Sequence, residues 1–331
     1  MTAACRLHGV APRSHGVVSM VARLITIYSF LFLHELQPVL EGAALLLRER
    51  RGLGAIVLED GEPRAFGMTT FADEALIDAY LAEAHPHLGR RLLLDALNPH
   101  SSSILQLHQI GERNAGRGLQ VVVVNCNMHP ATRDPGAVLG AVIAANFHVH
   151  RGYRIARYLN EVYGEMNVSI IESSRSYEIR RIFELPVGDG TIRSLVGTVT
   201  REQATAWSNP LLALFAYSPP RLRFTPPEQR LLSEALAGVT DETLSARLGV
   251  PVSAIKGRWS RIQERVMRLA PELFPNVPEA PRRGRGVQTR HLILQYLREH
   301  PSELTPYAWP DTRIRQRHIQ EPGATIARDR R

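Results

Sequence analysis

Small polar and basic side chains recur on one face of a predicted helix in the last third of the chain. Residues 252–268 have helical spacing, and at about 100° per residue Ile255, Trp259 and Ile262 share one apolar sector. The opposite face could enter the major groove of DNA, where base edges donate and accept hydrogen bonds. The residues predicted to contact DNA are Thr240, Ser253, Lys256, Gly257, Arg258, Ser260 and Arg261.

These residues divide by the chemistry that they offer. Lys256 can donate to guanine acceptors, and the Ser260 hydroxyl can donate or accept. Thr240, Arg258 and Arg261 are better placed for phosphates, which position a protein on DNA without reading its sequence. A bundle of helices that contacts another protein is the alternative interpretation.

Two other groupings could also do chemistry. His85 and His87, with His148 and His150, form two His-x-His pairs that could ligate a metal if they came together. Cys126 precedes His129 by three residues, a conceivable nucleophile and base. No motif surrounds either grouping, so we favour structural or solvated histidines and a half-buried structural cysteine. We therefore expect no catalytic residue, no metal and no cofactor.

The basic charge lies in the same region as the predicted DNA contacts. The chain has 331 residues and a net charge of +8. Residues 1–219 balance 20 arginines with 20 acidic residues, whereas residues 220–331 carry 20 basic and 12 acidic residues, which is the whole excess. A polyanionic partner such as duplex DNA is expected for this part.

The near absence of lysine excludes several enzyme classes. Lys256 is the only lysine, so residues 1–219 contain none. P-loop NTPases, protein kinases and pyridoxal enzymes each need a lysine in the active site. Phosphorylation receiver domains normally carry one as well, so none of these is predicted upstream. The longest apolar run, residues 24–33, is too short to span a bilayer, and we expect a cytoplasmic protein.

Capping residues define the helices that would hold the DNA-contacting face. Thr225, Pro226 and Glu228 open a helix with a capping box, and Gly238 ends it. Thr240 or Asp241 caps a second helix, which ends at Gly249 before the third. Such short helices separated by glycine turns are typical of a helix-turn-helix.

This segment resembles the LuxR/GerE-type helix-turn-helix of bacterial transcriptional regulators over about 45 residues. Ser245, Pro251, Ala254 and Trp259 depart from the family pattern. The resemblance implies a DNA-binding module that pairs as a homodimer, regulated by a preceding domain. The matching residues are Thr225, Glu228, Leu232, Gly238, Thr240, Leu244, Leu248, Val250, Ile255, Lys256, Arg258 and Ile262.

Strands and helices mix in the preceding residues. Residues 54–60 and 64–71 predict a hairpin around Asp60-Gly61, and residues 119–125 predict a buried strand. Residues 72–84 and most of 137–163 look helical, and residues 168–172 and 177–185 look like strands. This pattern indicates an α+β domain. Trp207 is the only tryptophan before Trp259, which disfavours the acyl-homoserine-lactone-binding type of sensor.

Residues 150–159 also resemble a degenerate form of the acetyl-CoA motif of GNAT acyltransferases, Arg/Gln-x-x-Gly-x-Gly/Ala. Gly152 matches the first glycine, and Arg154 stands in place of the second. The hairpin and the strand at 119–125 precede it in a compatible order. The resemblance implies, as the alternative, an acyltransferase with an appended helix-turn-helix.

The sequence therefore predicts an α+β N-terminal domain followed by an all-α LuxR-type helix-turn-helix domain. The expected function is a non-enzymatic transcriptional regulator, with a small-molecule effector of unknown identity and no membrane contact. The predicted divisions are an N-terminal extension and helix (1–50), the α+β domain (51–219), the DNA-binding domain (220–275), and a basic linker, helix and disordered tail (276–331).

Overall fold

The computed structural model describes residues 6–9, 36–83, 85–129, 132–274 and 286–309. Parts of the predicted N-terminal extension and helix, of the Pro/Arg-rich linker and of the C-terminal tail lie outside these residues. Strands in the described part are β1 (Arg6–Gly9), β2 (Gly52–Glu59), β3 (Glu62–Ala72), β4 (Leu119–Met128), β5 (Ile155–Tyr163), β6 (Glu178–Val187) and β7 (Gly190–Thr200).

Helices precede, connect and follow these strands, and none in the described ranges is long and apolar enough to cross a membrane. Those within the first 219 residues are α1 (Leu36–Arg48), α2 (Glu74–Glu83), α3 (Leu88–Asp95), α4 (Leu107–Ala115), α5 (Pro135–Val149), α6 (Glu165–Ser174) and α7 (Arg201–Ala206). The later ones are α8 (Pro226–Ala235), α9 (Asp241–Leu248), α10 (Val252–Leu269) and α11 (Gly286–Glu299), with 3-10 turns at Pro210–Phe215, Pro271–Leu273 and Pro301–Leu304.

The strands form one sheet in the order β1-β2-β3-β4-β5-β7-β6. Neighbours are antiparallel except β4 and β5, which run parallel and are joined through α5. The β2–β3 hairpin turns at Asp60 and Gly61, both with positive φ (53° and 84°), as a two-residue turn of the Asp-Gly kind requires. The predicted α+β class of the N-terminal domain is confirmed.

Hydrophobic clusters cover both faces of the sheet. Alternate residues of β4 point to opposite faces: Val122 packs in one cluster with Leu46, Phe66 and Leu92. The side chains of Val121 and Val123 pack in a second cluster, which also contains Phe71, Tyr153, Tyr158 and Phe215. Burial on both faces explains why β4 has an almost continuous β-branched sequence.

Two elements differ from the sequence-based expectation. Residues 155–163 were expected to continue a helix, but Gly152, in the left-handed region (φ 85°), follows the end of α5 and precedes β5. Residues 168–172 were expected to form a strand but lie in α6, because a short apolar run does not distinguish a strand from a helix.

The C-terminal helices form where their capping residues predict them. The Thr225 backbone N–H donates to Glu228 Oε2 at 2.8 Å in the capping box of α8, and Gly249 ends α9 with φ 64°. Their core includes Leu231, Leu244 and Ile255. That these helices make a separate all-α helix-turn-helix domain stays a prediction.

Residues 301–309 are packed, whereas a disordered tail was expected after the last helix. Leu304 is buried among the C-terminal helices, and the Gln229 amide donates to Thr305 O at 3.0 Å. On the other side, the Asn114 amide donates to Pro306 O at 2.9 Å, and Ala308 N donates to Gly111 O at 3.0 Å. Residues 301–309, here called the strap, therefore tie the C-terminal helices to the sheet.

Candidate functional site

The two parallel strands separate partway along their length. Their register runs from Leu119 opposite Ile155 to Val123 opposite Asn160 and stops there. Beyond that point β4 pairs only with β3, and β5 pairs only with β7. A register shift places Val124 as an extra residue of β4 opposite Met68 and Thr69. Such a bulge bends a strand, so β4 diverges from β5 and leaves an opening that we call the wedge.

Two cavities adjoin at the wedge. The first, of about 370 Å³, lies beneath α5 and also contacts α6. The second, of about 180 Å³, lies beside α3 and the end of β5. Aliphatic side chains of β2, α5 and α6 dominate the wall of the first. The residues that line both cavities are Val123, Asn125, Cys126, Leu139, Asn160, Ile170 and Ile171.

Polar groups in the first cavity stay neutral. The Tyr158 hydroxyl donates to Asn146 Oδ1 at 3.1 Å, and burial raises the pKa of Tyr158 well above its usual range. Burial likewise raises the pKa of Tyr177. The side-chain oxygen of Asn160 is buried and has no hydrogen-bond partner among the described residues. The cavity therefore offers neutral hydrogen-bonding groups within an apolar wall.

Cys126 lies at the wedge, but its thiol is not activated. Its side chain is exposed and lines both cavities, while desolvation by the surrounding protein raises the thiol pKa to about 11. A nucleophilic cysteine needs a lowered pKa. The wedge therefore contains a protonated thiol.

Glu161 faces the second cavity from β5. Its two carboxylate oxygens accept hydrogen bonds from His87 N at 2.6 Å and Leu88 N at 2.8 Å, at the start of α3. Burial raises the pKa of Glu161 despite these hydrogen bonds. A carboxyl group whose pKa lies above its usual value is better suited to exchange a proton near neutral pH.

Carboxylates occupy the start of α5, which follows β4. Glu59 accepts from the backbone N–H groups of Arg133 and Asp134, both at 3.2 Å, and lies 3.3 Å from the Arg64 guanidinium. The Asp134 side chain caps the helix by accepting from Ala137 N at 2.9 Å. Pro135 has no N–H to donate. A phosphate would meet two negative charges here in place of a cradle of N–H groups.

The residues of the acetyl-CoA-like motif lie at the opposite end of α5. His150 is buried, with Nδ1 2.7 Å from Asn146 O and Nε2 3.0 Å from Thr69 Oγ1. Burial lowers its pKa to about 4, so the ring is neutral and structural. A Cβ on Gly152 would lie 2.5 Å from Ser302 Cβ, so that this glycine serves close packing against the strap. Because these residues follow the C-terminal end of α5, they cannot bind a phosphate through the backbone N–H groups of a helix N-terminus.

The histidine pairs do not converge on a metal site. His87 Nδ1 lies 3.2 Å from the Tyr163 hydroxyl, whereas His150 lies between α5 and β3. Within the described ranges, no group of three metal-ligating side chains comes together.

The predicted DNA-contacting residues lie on α9 and α10. Ile255, Trp259 and Ile262 are buried, as expected, and Arg290 stacks over the Trp259 ring at 4.2 Å. Thr240 caps α9 through Thr243 N. Contact of this surface with DNA stays a prediction. Its exposed members are Thr240, Ser253, Lys256, Ser260 and Arg261, and its half-buried members are Gly257 and Arg258.

Comparison with known proteins returns acyltransferases for the N-terminal part of the chain. No family model and no curated protein matches it. Among solved structures, the ribosomal-protein-S18-alanine N-acetyltransferase from Escherichia coli is 11% identical over 59% of this chain and 93% of its own, with a TM-score of 0.31. The N-acyl amino acid synthase FeeM from uncultured soil microbes is 11% identical over 64% of this chain and 97% of its own, with a TM-score of 0.36. RimL, a ribosomal L7/L12 α-N-protein acetyltransferase in complex with coenzyme A, is 10% identical over 60% and 95%, with a TM-score of 0.33.

The expectation of a non-enzymatic transcriptional regulator is wrong. The solved structures named above, which cover the N-terminal part of the chain, are acetyltransferases and an N-acyl amino acid synthase, and none is a transcriptional regulator. Sequence reasoning missed the wedge because its residues lie on β4, β5, α5 and α6. The signal that was available in the sequence is the order strand, helix, strand, which predicts that β4 and β5 run parallel and lie side by side.

Proposed function

We propose that this chain is an acyltransferase with a GNAT-type sheet, which takes an acyl group from a thioester and transfers it to an amine. The observation that carries the proposal is the wedge, where the parallel strands part and a cavity opens on each side. Two substrates entering from the two cavities would meet there. Helices α8–α11 are, in this proposal, an all-α unit attached to the catalytic sheet.

The first cavity suits the acyl chain of the donor. Its aliphatic wall and its size, about 370 Å³, fall in the range of small-molecule sites. Each buried methylene group contributes about 0.8 kcal/mol, so a medium-length chain would bind more tightly than an acetyl group. The thioester carbonyl would then lie near Asn160 and Tyr177, whose neutral polar groups can form hydrogen bonds with the thioester.

The second cavity suits the amine that accepts the acyl group, because Glu161 faces this cavity. The amine attacks the thioester carbon, a C–N bond forms and the C–S bond breaks. The proton lost by the amine passes to the Glu161 carboxylate, and the departing thiolate takes a proton from solvent. The raised pKa of Glu161 favours this proton transfer.

The start of α5 does not fit the pyrophosphate of coenzyme A. Glu59 and Asp134 already accept the hydrogen bonds of three backbone N–H groups there. An acyl thioester whose thiol part is a short amide without phosphate does not need a pyrophosphate site. Such an acyl donor therefore tests the wedge alone.

The test uses decanoyl-N-acetylcysteamine thioester and follows thiol release with and without a mixture of primary amines. We expect saturable release that the amines accelerate. Ile171→Trp, which fills the wedge, should lower the rate at least roughly tenfold. Ile182→Trp is the matched control, because Ile182 is 47% exposed on β6 and lines neither cavity. Absence of release by the parent protein, or equal loss in both variants, would contradict the proposal.

A further inference from the structure

A third cavity separates the sheet from the C-terminal helices. Its volume is about 590 Å³, and we call it the interunit cavity. The start of β2 and the end of α5 form one wall, helices α8 and α9 form another, and Pro301, Leu304 and Thr305 of the strap complete it. A molecule bound there would contact both parts of the protein.

Arginine dominates the charge of the interunit cavity. One acidic residue, Glu234, is present among the described lining residues, and it lies 3.1 Å from Arg247. No described carboxylate pairs with any of the remaining four arginines. The cationic or titratable lining residues are Arg48, Arg50, Arg151, Arg230, Arg247 and His148.

Arg50 carries the clearest sign of a missing partner. Its Nη2 donates to the backbone oxygen of Leu304, but its Nη1 is buried and has no acceptor among the described residues. Burial lowers the pKa of Arg50, and the charge of Arg230 lowers it further, against an opposing effect of Tyr153. The residue also has a left-handed backbone, with φ 59°, which costs energy for a residue other than glycine.

A buried guanidinium nitrogen without an acceptor is costly, and buried polar groups in folded proteins normally have partners. Guanidinium groups bind phosphate oxygens through strong, often paired hydrogen bonds. We propose that the interunit cavity binds a phosphorylated small molecule, with Arg50, Arg151 and Arg230 as its main ligands. This site lies outside the wedge, where acyl transfer is proposed.

The position of this site couples it to both parts of the molecule. Leu53 and Val149 line the interunit cavity and also the first cavity. Arg230 belongs to α8, whereas Arg151 follows α5. A bound phosphate would therefore connect the C-terminal helices to the sheet next to the acyl chain. Its charge also offsets the repulsion between Arg50 and Arg230.

The test measures binding of inorganic pyrophosphate by isothermal titration calorimetry at 0.05 and 0.15 M salt. We expect saturable binding, and a rise in Kd of roughly tenfold or more in the double variant Arg151→Gln with Arg230→Gln. Both side chains are exposed, so the fold should survive. Arg181→Gln with Arg201→Gln changes the net charge equally but outside the cavity, and should bind as the parent does.

Absence of saturable binding, or equal weakening in the two double variants, would overturn the proposal. Adenosine 3′,5′-bisphosphate, the nucleotide part of coenzyme A, and ATP then serve as competitors. Displacement by the bisphosphate alone identifies the anion as part of the acyl donor, whereas displacement by ATP alone identifies a separate ligand; both support a phosphate site. Because pyrophosphate contains no thioester, failure here leaves the proposed acyl transfer unaffected, and loss of acyl transfer leaves this site unaffected.

Discussion

The two ends of α5 differ in the charge that they gather. At its start, Glu59 and Asp134 hold three backbone N–H groups. Near its end, His148, Arg151 and Arg50 line a cavity with an excess of arginine. A helix N-terminus commonly binds anions in proteins. Here the protein's own carboxylates occupy that place, and the groups able to bind a phosphate lie at the other end.

Both arrangements agree with the helix dipole, which favours negative charge at the start and positive charge at the end. They differ in whether the charge is neutralised within the protein. Glu59 has Arg64 at 3.3 Å, whereas Arg50 has no described carboxylate partner. The charge at the start of α5 is therefore neutralised without a ligand, whereas the charge near its end is not. Changes at each end can test this difference.

The largest expected effect comes from removing Glu59. Glu59→Ala leaves the N–H groups of Arg133 and Asp134 and the Arg64 guanidinium without their acceptor at a site where Glu59 is only 3% exposed. We expect the Tm to fall by roughly 5 to 10 °C, because partners of a buried charge are left unpaired. Differential scanning calorimetry measures this.

Asp60→Asn is the control, since asparagine tolerates the left-handed turn conformation of Asp60 (φ 53°) and the change removes only a solvent-exposed ion pair with Arg133. Exposed ion pairs contribute little, so its Tm should stay close to that of the parent. If Asp60→Asn and Glu59→Ala lower the Tm equally, the start of α5 does not depend on a buried carboxylate.

A smaller effect is expected in the pH dependence of stability. The hydrogen bond from Arg133 N, followed by that from Asp134 N and the charges of Arg64 and Arg133, lowers the pKa of Glu59 below its ordinary 4.5. The stability that Glu59 contributes is then present above pH 4.5 and lost as the pH falls through the lowered value. The Tm difference between the parent and Glu59→Gln should be constant from pH 7 to 5 and shrink below 4.5. A difference that is unchanged at pH 3 would contradict this.

Local signals in the sequence were sufficient for elements that local chemistry determines. The Asp60-Gly61 turn predicted its hairpin, the Thr225–Glu228 capping box predicted the start of α8, and Ile255 and Trp259 are buried as their spacing requires. The run of valines in β4 was likewise sufficient to predict a buried strand. In each case the residues that determine the element are close together in the chain.

The functional site depends on contacts that sequence spacing does not reveal. The wedge arises because Val124 is an extra residue opposite β3, and nothing in a run of four valines marks which one bulges. Arg50, Arg151 and Arg230 are far apart in the chain and line one cavity only because the C-terminal helices pack next to the sheet. Residues 150–159 resemble an acetyl-CoA motif in sequence, but they lie between the end of α5 and β5, where no helix begins.

The smallest expected effect is a change in one histidine at the arginine-rich end. Burial, and then the charge of Arg151, lowers the pKa of His148, so the ring is neutral near pH 7. Pyrophosphate in the interunit cavity would attract the protonated form and raise this pKa, and Arg151→Gln should raise it without a ligand. A titration of the His148 ring signals by NMR measures both shifts, with the exposed His100 as an internal reference outside the cavity. If pyrophosphate binds and leaves the His148 titration unchanged, the anion does not lie at the end of α5. The two ends of this helix would then differ in charge but not in their ability to bind an anion.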